Sequence, residues 1–300
     1  MAGSIVTKNP VLGRRTFLVG AGFNIVSACA QLRAPAQYRM EEQFAEIEAQ
    51  LGGRLGVAAL NTANQARLSY RGNERFAMCS TFKWMLAAAV LARVERGEIA
   101  LDQRIPYSAA DLLDFSPVSQ AHLSEGSLAV QDMCAAIVEV SDNTAANLLL
   151  GLVGGPVGLT NFLRALGDPV TRLDRNEPGL NANLPDDPRD TTTPDAMIGT
   201  MNKIILGNAL SVNGREGLIG WMKNSRTGLD RLRARLPRDW IAGDKTGTGA
   251  NGAANDNAVV WPPGGAPILI AAYLSGSQGP PEARDAAHAK IGGIVIAALK

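Results

Sequence analysis

Apolar positions along the chain alternate between helical and strand periods. Residues 38–51 place Met40, Phe44, Ile47 and Leu51 at helical spacing and meet Gly52-Gly53, a helix stop. Leu55–Leu60 and Arg67–Tyr70, separated by an Asn/Thr/Ala turn and closed by Gly72-Asn73, predict a hairpin. From Thr81 to Arg96 the positions Phe82, Met85, Leu86, Ala89, Val90 and Val94 predict a helix buried on one broad face and ended by Gly97. Helical spacing recurs through 129–152, 156–166, 194–208 and 213–223. Three strands are then predicted at Asp239–Thr248, Asn257–Pro262 and Pro267–Ser275, and a closing helix at Glu282–Leu299. Strands at both ends with helices between predict an α/β fold of the α+β type, an antiparallel sheet flanked by helices and built from both termini, with an inserted all-α domain. On this reading residues 36–72 and 227–300 make the sheet domain and 73–226 the all-α domain.

Composition narrows the function classes. The 300 residues are 46% hydrophobic, 19% charged and 5% aromatic, which suits a globular enzyme and not a disordered or coiled-coil chain. A formal charge of +1 gives no basic field for nucleic acid or anionic lipid, so no nucleic-acid partner is expected. Cys29, Cys79 and Cys134 cannot make a disulfide framework, and with only His122 and His288 beside them no metal cage is expected. Neither a metal nor another cofactor is predicted, and neither histidine is given a catalytic role. The chemistry must come from Ser, Lys, Glu and backbone groups.

The first thirty residues read as an export signal. Arg14-Arg15-Thr16-Phe17-Leu18 followed by a modestly apolar stretch to Ala30 has the layout of a twin-arginine signal, with Lys8, Arg14 and Arg15 and no acid. The apolar run is too short for a membrane span and is broken by Gly and Asn. Removing residues 1–30 takes three basic residues from a chain of charge +1, which leaves −2. Two endings fit: Ala28-Cys29-Ala30 as a small-x-small cleavage site, or Val26-Ser27-Ala28-Cys29 as a lipobox with a lipid anchor on Cys29. Either places the mature protein in the periplasm.

Ser80-Thr81-Phe82-Lys83 sets a hydroxyl in the first turn of a buried helix and an amine three residues on, both on one face. A serine needs a neighbouring base to become a nucleophile, and a lysine desolvated among apolar groups has its pKa lowered toward that use. Alone, the pair is also what a capped helix with a solvated lysine would show. Ser141-Asp142-Asn143 reads as a turn between helices, or equally as a helix N-cap. Lys245-Thr246-Gly247 falls within a predicted strand, where glycine lets another backbone approach.

In this order and spacing the three motifs resemble those of the penicillin-recognising serine enzymes. Arg175-Asn176-Glu177-Pro178-Gly179-Leu180-Asn181, ahead of Asp190, resembles the omega loop of class A β-lactamases, spanning 175–190. Arg75-Phe76, Phe115-Ser116-Pro117-Val118, Asp142–Leu149 and Asp190–Pro194 extend the likeness over nearly all the chain beyond the signal. The resemblance implies that Ser80 attacks a lactam carbonyl, with its own N–H and that of Thr248 as the oxyanion hole. Lys83, or Glu177 through a water, would be the acylation base, a choice the resemblance leaves open. Ser141 would pass a proton to the departing nitrogen with Lys245 supporting it. Asn143 would hold the substrate's side-chain amide, and Lys245, Thr246, Gly247 and Thr248 would line the carboxylate subsite. Glu177 and Asn181 would hold the water that frees the acylated serine, Arg175 and Asp190 would tie the loop shut, Asp142 would be structural, and Glu177-Pro178 would be cis.

The resemblance also implies a substrate and no partner beyond it: a β-lactam antibiotic, hydrolysed by a chain that needs only to be a monomer. Ala254 stands where many relatives carry an arginine, and Arg231 is the candidate to replace it; the other reading makes Arg231 one of four arginines on a solvated stretch with Arg233, Arg235 and Arg238. Phe115 gives an aromatic wall without a hydroxyl. Cys79 finds Gly249, and Cys134 finds Ala87, where some relatives have partner cysteines, so both thiols are expected reduced and buried. The alternatives are a penicillin-binding transpeptidase or carboxypeptidase, or a penicillin sensor, with slow deacylation. Glu177 argues against the first, and the lack of a signalling or transmembrane module against the second.

Overall fold

The computed structural model describes residues 35–300, which form one compact unit. The export signal expected at residues 1–30, with Cys29, lies outside the described residues.

Helix α1 (Pro35–Leu51) precedes the hairpin β1 (Arg54–Asn61) and β2 (Arg67–Tyr70). The last third of the chain supplies β7 (Ile241–Thr248), β8 (Ala254–Trp261), β9 (Ile268–Ser275) and helix α9 (Pro281–Leu299). These strands make one antiparallel sheet in the order β2-β1-β9-β8-β7, with β1 and β9 in register from Arg54↔Ser275 to Asn61↔Ile268. Both ends of the described chain thus meet in the middle of the sheet, as the strand pattern predicts.

The central strands read as continuous apolar runs because the sheet is covered on both faces. Along β1, Val57 and Ala59 pack with α1 and α9 residues such as Phe44, Ile291 and Val295, whereas Ala58 and Leu60 pack with the helical core on the opposite face. That second core surrounds α2 (Phe82–Glu95), whose residues from Phe82 to Ala92 are all buried. Around it lie α4 (Val130–Glu139), α5 (Asn143–Val153), α6 (Gly155–Ala165), α7 (Pro194–Met201) and α8 (Val212–Lys223). The short helix α3 (Pro117–Ala121) and the two-stranded pieces β4 (Arg104–Pro106) with β5 (Ser127–Ala129), and β3 (Phe76–Ala77) with β6 (Thr191–Thr192), complete the connections.

Two of the departures from the apolar pattern have a physical reason visible in the fold. β8 begins at Ala254 and not Asn257, because Asn255 and Asp256 are buried polar strand residues with partners that the pattern cannot see. Asn255 Nδ2 donates to the Ala77 and Met78 carbonyls, and Asp256 Oδ2 accepts from the Leu232 N–H. The helical run predicted through 194–208 holds as α-helix to Met201 and continues as a wider π turn over Asn202–Leu206.

Candidate active site

The helix α2 places its two reactive groups by burial. Ser80 lies in the tight turn Cys79–Thr81 that enters α2, after Cys79 in the left-handed region at φ 47°. One turn on, Lys83 is fully buried, since every neighbour on α2 packs into the helical core. Its Nζ donates to Asn143 Oδ1 (2.6 Å), the Ser141 carbonyl (2.8 Å) and Ser141 Oγ (3.3 Å), and lies 3.0 Å from Glu177 Oε1. Burial pushes the Lys83 amine below its usual range, opposed by the Glu177 charge.

Ser141 and Asn143 reach this amine because Asp142 fixes the turn between them. Asp142 is both a helix cap and a strut: Oδ1 accepts from Ala145 N–H at the start of α5 and from Ser119 Oγ, and Oδ2 accepts from the N–H groups of Val118 and Ser119. The cap reading of Ser141-Asp142-Asn143 therefore holds for Asp142, and the same turn brings Ser141 and Asn143 to the Lys83 amine. Ser141 takes φ 66°, and its Oγ accepts from Lys245 Nζ at 3.1 Å as well as from Lys83. Lys245 is fully buried on β7, so its amine is also pushed down, by burial first and by the Lys83 charge second.

The omega loop closes the floor. Glu177 follows a loop start tied by Arg175 Nε to Asp190 Oδ2 (2.5 Å), and Asp190, with no exposed surface, also accepts from the Asp174 and Arg175 N–H groups. The Glu177-Pro178 bond is cis. Glu177 Oε1 lies 3.4 Å from Ser80 Oγ, and Oε2 accepts from Asn181 Nδ2 at 2.5 Å. Asn181 Oδ1 is buried and takes no bond from the protein, which leaves an acceptor beside the Glu177 carboxylate. Asn147 on α5 pins the Glu177 backbone from both sides, donating from Nδ2 to its carbonyl and accepting at Oδ1 from its N–H, each at 2.9 Å.

β7 forms the opposite wall. A Cβ on Gly247 would stand 2.6 Å from the Met78 carbonyl oxygen and 3.1 Å from the Ser80 nitrogen, so only glycine lets the strand lie this close to the nucleophile turn. Arg231 is buried, not solvated: Nε pairs with Asp285 (2.7 Å), Nη1 donates to the Gly247 and Asn255 carbonyls, and Nη2 donates to Thr248 Oγ1 (2.9 Å). Arg233, on the same stretch, pairs with the buried Asp244 at 3.0 Å. Thr246 Oγ1 donates to Thr227 Oγ1 at 2.7 Å.

These groups surround a cavity of about 360 Å³ lined by Ser80, Phe115, Ser141, Asn143, Asn181, Thr227, Arg231 and the strand Thr246-Gly247-Thr248. Lys83, Glu177 and Lys245 lie buried behind the wall. Asp142, Arg175 and Asp190 stand outside the cavity, holding the loops that form it. Asn147 and Thr227 are the site residues that sequence reasoning did not single out. Asn147 lies within the Asp142–Leu149 run without a motif of its own, and nothing local marks Thr227. Among the described residues no cluster of His, Cys, Asp or Glu could hold a metal ion.

Cys79 and Cys134 are free and buried, as expected, and burial pushes the Cys79 thiol up to about 12. His122 is a half-exposed partner of Glu125 (2.5 Å). His288 is fully buried on α9, with Nε2 3.0 Å from the Ala254 carbonyl, and burial drives its pKa down to about 3.

A family model described as the beta-lactamase enzyme family matches residues 39–299. Beta-lactamase Toho-1 of Escherichia coli is 44% identical, over 93% of this chain and 96% of that protein. The carbapenem-hydrolyzing beta-lactamase KPC of Klebsiella oxytoca is 49% identical over 77% of this chain and 79% of its own. Among solved structures, the ancestral GNCA class A beta-lactamase superposes with a TM-score of 0.85 at 56% identity, covering 86% of this chain and 99% of that one. A beta lactamase from Xanthomonas campestris gives 0.86 at 48% identity, covering 88% and 99%.

Proposed function

This chain belongs to the class A serine β-lactamases, and from that premise we propose a role for each residue around its cavity. The protein hydrolyses the amide bond of β-lactam antibiotics and thereby confers resistance to them. The observation that carries the residue roles is the Glu177 carboxylate, 3.0 Å from Lys83 Nζ, 3.4 Å from Ser80 Oγ and bonded to Asn181.

Ser80 Oγ attacks the lactam carbonyl and yields its proton to the Lys83–Glu177 pair, whose amine and carboxylate lie 3.0 Å apart. The carbonyl oxygen gains negative charge in the tetrahedral intermediate and is met by the N–H groups of Ser80 and Thr248. When the C–N bond breaks, the nitrogen takes a proton from Ser141 Oγ, which regains one from the Lys83–Glu177 pair through the amine 3.3 Å away, with the Lys245 amine on its other side at 3.1 Å. Thr246, Thr248 and Arg231, with Thr227 beside them, hold the substrate carboxylate, while Lys245 adds its charge from behind. Asn143 holds the side-chain amide and Phe115, 64% exposed, forms the outer lip. Deacylation follows as Glu177 takes a proton from a water held between its carboxylate and Asn181; the hydroxide attacks the acyl carbon, the acyl–oxygen bond breaks, and Glu177 returns the proton to Ser80 Oγ, 3.4 Å away.

The chain acts as a monomer, with residues 36–72 and 227–300 as the sheet domain and 73–226 as the helical domain. It is exported to the periplasm by the twin-arginine signal, soluble or anchored through Cys29.

Mass spectrometry of the protein mixed with a penicillin, with hydrolysis followed by absorbance, tests the roles. Wild type should turn over many equivalents, Glu177→Ala should accumulate an adduct on Ser80, and Ser80→Ala should give neither adduct nor turnover. A persistent adduct on wild type would instead mark a transpeptidase or sensor.

A further inference from the structure

Besides the Asn147 bonds to the Glu177 backbone, the omega loop carries two ties, one at its base by Arg175 and Asp190 and another, beyond Asn181, by two asparagines that bond each other's backbone. Asn183 Nδ2 donates to the carbonyls of Ala250 (3.2 Å) and Asn251 (3.0 Å), and Asn251 Nδ2 donates back to the carbonyls of Ala182 (3.1 Å) and Asn183 (3.2 Å). Asn183 Oδ1 accepts from Ser275 Oγ at the end of β9 (2.9 Å), so both ends of its amide are engaged. Both asparagines sit in the left-handed region, at φ 44° and 49°, a conformation that asparagine tolerates better than most residues. Between the two ties, the Ala250 N–H donates to the Asn181 carbonyl at 2.9 Å.

We propose that Asn183 and Asn251 are positioning residues for deacylation: their reciprocal clamp fixes the omega loop against the β7–β8 turn and so sets where Asn181 and Glu177 hold the water. The proposal rests on the water-holding role given above to those two residues. Neither asparagine lines the catalytic cavity or touches Ser80, so the clamp can act only through the loop. The loop also has room to leave. A second cavity, of about 650 Å³, lies on the far side of the clamp, walled by Asn183, Asn251 and Ser275 and by loop residues 184–189. Without the clamp, residues 183–189 face empty volume and not packed core, and a shift of the order of 1 Å in a catalytic group is enough to cost about a hundredfold in rate.

Acylation draws on Ser80, Lys83, Ser141 and β7, which the clamp does not touch, and shares only Glu177 with deacylation, so loss of the clamp should weigh on the second half-reaction far more than on the first. The test compares Asn183→Gly, Asn251→Gly and the double variant, since glycine keeps the left-handed backbone and removes only the amide. Rapid quench and mass spectrometry with a penicillin read acylation and deacylation separately, beside Glu177→Ala. Each glycine variant should acylate at nearly the wild-type rate and deacylate about tenfold to a hundredfold more slowly. The double variant should be no slower than either single one, because releasing the loop is one event.

Trapping by Glu177→Ala with unchanged deacylation in all three glycine variants would remove the clamp from the mechanism. Acylation and deacylation falling together would overturn it as well, as the mark of general loosening. Free turnover by Glu177→Ala would remove the reading beneath the proposal, and the proposal with it.

Discussion

Arg231 is the residue whose surroundings change its meaning most. In the chain it stands among exposed-looking arginines; in the fold it is 9% exposed and spends its guanidinium on Asp285, two carbonyls and Thr248. Arg231→Ala should raise KM for carboxylate-bearing lactams about tenfold, with a smaller change in kcat, from the roughly 1.5 kcal/mol that a lost charge-assisted hydrogen bond costs. Steady-state kinetics on a penicillin will check this, and an unchanged KM would free Arg231 of the carboxylate. His288 gives a second prediction at this scale. Its pKa, about 3 when folded against 6.5 when exposed, means that between those values only the unfolded chain binds the proton. Stability contributed by neutral His288 is therefore present above pH 6.5 and lost as pH falls toward 3, by about 3 kcal/mol at pH 4. His288→Gln keeps a donor for the Ala254 carbonyl, so its stability relative to wild type should rise by that amount between pH 7 and pH 4 in urea titrations. A parallel pH dependence in the two proteins would mean that His288 does not titrate on unfolding.

At the scale of elements, periodicity and turn signals reach only partners within a turn or two, and Lys83, Ser141, Glu177 and Lys245, whose bonds join positions 58 to 104 apart, were brought together by the family resemblance alone. Ser80 and Lys83 share a face because they share a helix, and the Ser141-Asp142-Asn143 turn is marked by the helical runs on either side. Asn147, Thr227, Asn183 and Asn251 were not legible as partners, because the side-chain bonds they make at the site join segments from 19 to 92 positions apart. Arg233 and Asp244, only 11 positions apart, escaped as well, because nothing in the arginine-rich stretch marks one of its members as paired. The polar start of β8 shows the converse limit: hydropathy reports burial of apolar groups and is silent about buried amides with partners. The approach of β7 to α2 carries its own prediction. A methyl at Gly247 would meet backbone atoms of Met78 and Ser80, which cannot swing aside, so Gly247→Ala should push the strand off the nucleophile turn. Acylation should fall about a hundredfold, with little loss of secondary structure by circular dichroism; wild-type acylation would show that the Ser80 and Thr248 N–H groups need not be held this closely.

At the scale of the molecule, the fold depends on segments that are far apart in the chain. β9 lies between β1 and β8, and α9 covers the sheet face that α1 shares, contributing Ile291, Val295, Ile296 and Leu299 to that core. A chain lacking residues 268–300 should therefore leave β1 unpaired on one edge and one sheet face bare. We expect it to show neither a cooperative urea transition nor protease resistance, and a resistant fragment retaining β1 and β2 would contradict this.

The place of β9 also sets an order in time. Chains are made from the amino terminus, so the β1–β2 hairpin exists for about two hundred residues of synthesis before the strand that must sit beside it. Until then β1, apolar on both faces, waits with one edge unpaired, and the nucleophile, omega loop and last strands have no common wall to stand against. Resistance to the antibiotic begins only once the last strand arrives, however early the serine was made.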